Sequence, residues 1–173
     1  MIQINSLWDF ISAMVLVCAY YGIYKAFTGD FEIIISYFLT LMVERNTKRM
    51  TSQLYPFIFK RPDNAYDCSL LNTGGYVGNR GGFPSGHMAI TSYFMNYLYF
   101  NNEDFSNKST MLYLIPSILM GSARYMKECH NIYQILAGYL LGFLVAYWGY
   151  NLKRKYNIDS ILKLNTKPIV KCE

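Results

Sequence analysis

Histidine is nearly missing from this sequence: His87 and His130 are the only two in 173 residues. Charge is scarce as well. Only 16% of residues are Asp, Glu, Lys or Arg, whereas a water-soluble globule carries about 25%. The chain is therefore short of the charge that an ordinary soluble surface needs. Its four cysteines, Cys18, Cys68, Cys129 and Cys172, form no CxxC pair and no zinc-type spacing. Adjacent Cys129 and His130 cannot readily both point at one ion in tetrahedral geometry. The N-terminus lacks a basic start and a clear small-residue cleavage site, so no cleavable signal peptide is expected. There is no internal repeat and no low-complexity segment, and the length suits a single domain.

What is abundant is apolar and aromatic. Hydrophobic residues make up 53% and aromatics 17%, with 17 tyrosines. Mean hydropathy is only +0.11 because Tyr and Asn lower it, and Tyr is at home at the bilayer interface. Four stretches read as membrane spans: Leu7 to Phe27, Phe83 to Phe100, Thr110 to Tyr125 and Ile132 to Tyr150. A crossing helix needs about 20 apolar residues. The competing reading is a set of buried helices in a soluble all-α protein. Residues 31–59 read either as one long helix with a polar middle or as two helices broken at Glu44–Arg49. Pro56 is expected to kink or end the second part. Residues 60–82 are rich in Gly, Asn and Asp and read as a loop. Residues 101–109 read as a short polar connection. Gly138 and Gly142 form a small-xxx-small pair that lets two helices approach closely. The aromatic runs at 93–100 and 147–150 are expected on lipid-facing or interfacial surface.

The net charge is +5, and residues 151–173 supply +4 of it: six Lys or Arg against Asp159 and Glu173. A basic tail after apolar segments reads as a cytoplasmic flank rather than a nucleic-acid arm.

Three polar islands punctuate the apolar segments: Lys60-Arg61-Pro62, Pro84-Ser85-Gly86-His87, and Arg124 with His130. With 31–59 as one net crossing, Arg61 follows one span and His87 opens the next. The chain then crosses away and returns, so Arg124 and His130 emerge on the same side. The chemistry suits a phosphate. Arg presents a planar fork of donors that matches phosphate oxygens. Ser85 and Gly86 open a helix, where free N–H groups and the dipole favour an anion, and Gly86 allows close backbone approach. Two imidazoles can divide the labour, one attacking phosphorus and the other protonating the leaving oxygen.

These residues resemble the phosphatidic acid phosphatase type 2 superfamily. That group includes membrane lipid phosphatases, dolichyl-diphosphatase, glucose-6-phosphatase and the vanadium haloperoxidases. Its pattern is KxxxxxxRP, then PSGH, then SRxxxxxHxxxD. Arg61-Pro62 matches the end of the first part, Pro84 to His87 the second, and Arg124 with His130 the third at the right gap. The likeness covers roughly residues 45–145.

The resemblance implies that His130 is the nucleophile, forming a phosphohistidine, and that His87 is the general acid. Arg61, Arg124, Lys60 and the Ser85–Gly86 turn would bind the phosphate oxygens. It implies no metal and no cofactor. Leu54 stands seven residues before Arg61, where the family has Lys; Lys48, Arg49 and Lys60 are nearby, none in register. Ala123 replaces the family Ser, and Gln134 replaces the family Asp four residues after the nucleophile. Position i+4 on a helix lies over position i, so Gln134 is expected to accept from the His130 ring and fix its tautomer. Gln here resembles the dolichyl-diphosphatase and glucose-6-phosphatase branches.

The expectation is an all-α, polytopic membrane bundle of five to six helices with a phosphatase core. Residues 1–150 would form the integral membrane phosphatase-like domain and 151–173 a basic C-terminal tail. The expected activity is metal-independent hydrolysis of a lipid phosphate or a polyprenyl diphosphate of dolichyl type. The alternatives are a catalytically silent relative serving as a structural membrane protein, and a lipid phosphotransferase. The partners are the bilayer and a lipid phosphate substrate, with no nucleic acid and the oligomeric state left open. Five crossings put the active site on the lumenal or outer face, in an endoplasmic reticulum or viral membrane. On such a face Cys68 and Cys129 can form a disulfide clasping the loop to the third motif.

Overall fold

A computed structural model of the chain describes residues 6–54, 58–69, 71–101 and 107–156. Helix α1 (Leu7–Ala13) starts at Ser6, whose hydroxyl accepts from the Asp9 backbone N–H at 3.1 Å. Such a cap satisfies one of the donors that every helix start leaves open. Helix α2 (Val15–Phe27) follows after Met14, whose φ of −60° and ψ of −18° stay helical, so the two act as one rod. The rod ends at Gly29, which takes a φ of +94° where a side chain is disfavoured.

Helix α3 (Phe31–Thr51) runs unbroken through Glu44–Arg49. Of the two readings of this stretch, the one with a break at Glu44–Arg49 is not what forms. The polar residues are carried because Glu44 pairs with Lys48 one turn on and faces protein rather than lipid. Helix α3 then stops at Thr51; Pro56 lies outside the described residues. Helices α4 (Gly86–Phe100), α5 (Asn107–Met126) and α6 (Ile132–Tyr156) complete the bundle. Helix α5 begins inside the expected polar connection. Helix α6 runs past residue 150 to Tyr156, so Lys153, Arg154 and Lys155 form its last turn. Residues 157–173, with the rest of the basic tail and Cys172, lie outside the described residues.

The chain makes five passes. At one end, Asn72 Nδ2 donates to the Asp9 carbonyl at 2.9 Å and Arg124 donates to Ser12 Oγ at 3.3 Å. At the other end, Tyr97 Oη donates to Asp30 at 2.6 Å, and Lys153 stands 3.8 Å from Glu32. Among the described residues, two rods, Leu7–Phe27 and Ile132–Lys155, are long and apolar enough to cross a membrane. The outer surface is apolar along its length, with Val17, Phe38, Ile118, Leu136, Leu140 and Leu144 all exposed. Exposed apolar area on that scale belongs in lipid.

Helix α4 is the central element, packed on α6, α5, α3 and α2. This corrects the expectation for 93–100: Tyr93, Phe94 and Tyr97 are core residues. Tyrosine is tolerated there because each hydroxyl finds a partner. Tyr93 donates to the Ile33 carbonyl at 3.0 Å, and Tyr97 to Asp30. In the second run, Tyr147 and Trp148 are exposed as expected. The Gly138/Gly142 pair does bring helices together. A Cβ at Gly142 would collide with the Ala89 carbonyl oxygen, and one at Gly138 would lie 2.5 Å from that of Ser85. Helix α6 can therefore sit against the first turns of α4 only with glycine at both positions.

Candidate active site

The loop from Ile58 to Gly82 covers one end of the bundle. Turn residues shape it: Asp67, Asn72 and Asn79 are left-handed, with φ of 47°, 54° and 59°. Asp and Asn tolerate that region better than other side chains. Isolated bridges Lys60–Gly81 and Tyr66–Tyr76 hold the loop folded back on itself. Cys68 and Cys129 form a disulfide, with Cα atoms 5.5 Å apart. The loop is thereby clasped to the segment that carries His130.

The Pro84-Ser85-Gly86-His87 turn is fixed from two directions. Thr51 Oγ1, at the end of α3, donates to the Phe83 carbonyl at 3.1 Å. The Ser85 N–H donates to the Gln134 carbonyl at 2.9 Å.

His130 is positioned by the C-terminal turn of α5. Cys129 and His130 both donate their N–H to the Arg124 carbonyl, at 3.1 and 3.2 Å. Glu128 takes a φ of 53° so that the chain can reverse there. The ring is oriented by Gln134, whose Oε1 lies 2.8 Å from His130 Nδ1. The amide is itself pinned, because its Nε2 donates to the carbonyls of Ile58 at 3.0 Å and Lys60 at 2.6 Å. With the NH₂ group spent on two carbonyls, Oε1 must accept, so the proton is assigned to Nδ1. Nε2 of His130 then carries the lone pair. A Cβ at Gly82 would lie 2.6 Å from that same Oε1, so glycine is required beside it.

The two arginines are anchored by the disulfide residues. Arg61 Nη1 donates to the Cys129 carbonyl at 3.3 Å, and Arg124 Nη2 to the Cys68 carbonyl at 2.8 Å. Arg124 is fully buried, as are Ser85, His130 and Gln134 to within 2%. Among the described residues, Ser85 Oγ, His87 Nε2 and Arg124 Nε are buried and have no hydrogen-bond partner. Buried polar atoms are normally satisfied. Two of these three are obligate or ready donors, as an oxyanion ligand would require.

Lys48 is the residue that sequence reading left out of register. It projects from α3, and its charge reaches His87, His130, Arg61 and Arg124. The signal was its position on a helix ending beside the loop, which cannot be read from the spacing to Arg61. Lys60 contributes its carbonyl to Gln134. Leu54 is half exposed.

Burial holds the His130 imidazole well below its usual range, and the positive charges of Arg61, Arg124 and Lys48 push it further down; Gln134 opposes this. Burial also lowers Arg61, against the nearby charge of Glu44. Among the described residues no three His, Cys, Asp or Glu side chains stand together as a metal site would need.

Beside the polar pocket, an apolar cavity of about 730 Å³ opens between α4, α5 and α6. Met88, Ser117, Gly121, Ile132, Ile135 and Tyr139 are among its walls. It begins next to the chemistry: Met88 follows His87, and Ile132 is two residues after His130.

Among known protein families, the family model of the PAP2 superfamily matches residues 29–158. No curated protein and no solved structure matches the chain.

Proposed function

The chain belongs to the PAP2 superfamily, and from that premise we propose that it is a metal-independent phosphatase of lipid phosphates or polyprenyl diphosphates. Membership supports phosphatase-type chemistry in general. The observation that carries the finer reading is the pinned Gln134–His130 pair, which leaves His130 Nε2 free to attack.

In the proposed reaction, His130 Nε2 forms a bond to phosphorus as the bond to the leaving oxygen breaks. His87 delivers a proton to that oxygen. Water then attacks the phosphohistidine, gives its proton to His87, and inorganic phosphate leaves. Arg61, Arg124, Lys48, the Ser85 hydroxyl and the first N–H groups of α4, from Gly86 on, hold the non-bridging oxygens as their charge grows. Gln134 is neutral, so it orients His130 without the charge that an Asp would add to the imidazolium. The arriving dianion favours the protonated form of His87 by bringing opposite charge beside it.

The apolar cavity next to the pocket supports a substrate whose hydrocarbon chain stays in lipid while its phosphate enters the polar site. The disulfide supports an oxidising compartment on the site face. Lys153, Arg154 and Lys155 at the far end of α6 support a cytoplasmic side there. The proposed partners are thus the bilayer and the lipid phosphate.

The deciding measurement is phosphate release in detergent with EDTA, over a panel of lipid monophosphates, polyprenyl diphosphates and water-soluble phosphate esters. Lipid substrates are expected to be cleaved, with EDTA having no effect. Activity lost to EDTA and restored by a divalent cation would rule out the metal-independent route. Phosphate release from no substrate would favour a silent structural relative.

The depressed His130 sets a pH dependence. The nucleophile stays unprotonated at pH 7, so on the acid side its titration should lower kcat/KM only below about pH 6.5, the unperturbed value; any loss on the alkaline side belongs to the acid form of His87. Stability has the same sign. The folded state resists protonating His130 and the unfolded chain does not. The stability that His130 contributes is therefore complete above about pH 6.5 and is lost as pH falls towards the folded value. An acid-side loss of kcat/KM that already sets in above pH 7 as the pH is lowered would contradict this.

A further inference from the structure

Glu44 is a buried carboxylate inside the pocket proposed to bind phosphate. It is 6% exposed on α3 and pairs with Lys48. Its Oε1 would lie 2.9 Å from a Cβ built at Gly86, so it stands against the opening turn of α4. Its charge also reaches Arg61. The carboxylate therefore touches or faces three of the elements assigned to phosphate: the Gly86 turn, Lys48 and Arg61. An acid in an anion site works against the anion that the site is built for. Its presence needs a reason beyond binding.

The reason is the charge of the free pocket. Arg61, Arg124 and Lys48 gather around two imidazoles in a buried space. Buried charges are costly unless compensated; Asp9 faces Arg124, and Glu44 compensates Lys48 and Arg61. Helix starts also favour an adjacent anion, and Glu44 supplies one at α4.

We infer that Glu44 is a built-in counter-anion that occupies the charge position of phosphate in the free enzyme and weakens the hold on released inorganic phosphate. This rests on the phosphate-binding reading above. On substrate arrival, Lys48 exchanges its Glu44 partner for a phosphate oxygen. After hydrolysis, Glu44 competes for Lys48 and repels the product. The lipid substrate bears the same penalty on its phosphate but is also held by its hydrocarbon chain, so it stays bound where free phosphate leaves. Glu44 is thus a residue that speeds product release, and it takes no part in bond making.

Isothermal titration of the detergent-purified full chain with inorganic phosphate at pH 7 tests this. Glu44→Gln keeps the shape, removes the charge and should bind phosphate at least about tenfold tighter than the parent. Phosphate inhibition of lipid hydrolysis should tighten in parallel. Glu44→Ala should tighten binding too, and serves as the second reading where Glu44→Gln is poorly folded by circular dichroism. Unchanged or weaker phosphate binding by a folded variant would overturn the inference, since Glu44 would then be only a scaffold for Lys48. A parent chain that binds no phosphate at millimolar concentration would instead overturn the pocket assignment itself, and the inference with it.

Discussion

Replacing His130 with alanine should slow phosphate release by about 10⁴-fold or more, because the residue is proposed to form the covalent intermediate and nothing nearby can take its place. Gln134 and the Arg124 carbonyl hold the ring and backbone of position 130, and neither can attack phosphorus. Brief incubation with ³²P-labelled substrate followed by alkaline quench should trap acid-labile, base-stable label in the parent and none in His130→Ala. His87→Ala should behave differently. Its loss should be about 10²–10⁴-fold with an alkyl leaving group, the range for general acid catalysis. Much of that should return with a p-nitrophenyl ester, whose leaving oxygen needs no proton. A label that persists without His130, or a His87 defect that ignores the leaving group, would reject the division of labour between the rings.

Breaking the Cys68–Cys129 disulfide should have the second-largest effect, and it should reach activity and stability together. The bridge spans 61 residues of sequence. Closing a loop of that length stabilises by about 4 kcal/mol in the chain-entropy view. The activity effect has a separate origin. The carbonyls of Cys129 and Cys68 anchor Arg61 and Arg124. Freed of the bridge, both guanidiniums can drift, and a misplacement of about 1 Å is worth roughly 10² in rate. Cys68→Ser and Cys129→Ser should each lose about that factor in kcat/KM and unfold at lower temperature. Dithiothreitol should bring the parent to the same level and leave the variants unchanged. Full activity of the reduced parent at a temperature where it stays folded would show that the arginines need no clasp.

Much of the candidate site was legible along the chain because its groups come in short, local motifs. Ser85, Gly86 and His87 share one turn, and Arg124, His130 and Gln134 lie within 11 consecutive residues. Their relation is set by the local path of a helix end and the next helix start. The alternation of apolar runs and polar islands likewise gave five passes with the motifs at one end. The misreadings lie where a residue's meaning depends on what packs against it. Tyr93 and Tyr97 look interfacial by composition, yet α4 is the central helix and their hydroxyls reach Ile33 and Asp30 across 60 and 67 residues of sequence. Glu44–Arg49 left one helix or two open, and α3 runs through it because Glu44 and Lys48 pair with each other and face the pocket.

Composition and local pattern by themselves determined the helical class and the apolar character of the chain, and they singled out the two imidazoles on which the proposed oxyanion chemistry rests. Such features depend on residue type and on separations of a few residues. Which cation joins Arg61 and Arg124, which carbonyls hold them, and which carboxylate faces Gly86 were decided only by tertiary structure. Lys48 enters from a helix 13 residues before Arg61 in sequence, and the clasp joins positions 68 and 129. Lys48 has no spacing to reveal it, and the clasp was expected only from the face that the topology gives to both cysteines. Each exists because close packing of α4 against its neighbours brings the end of α3, the loop and the α5–α6 turn to one point.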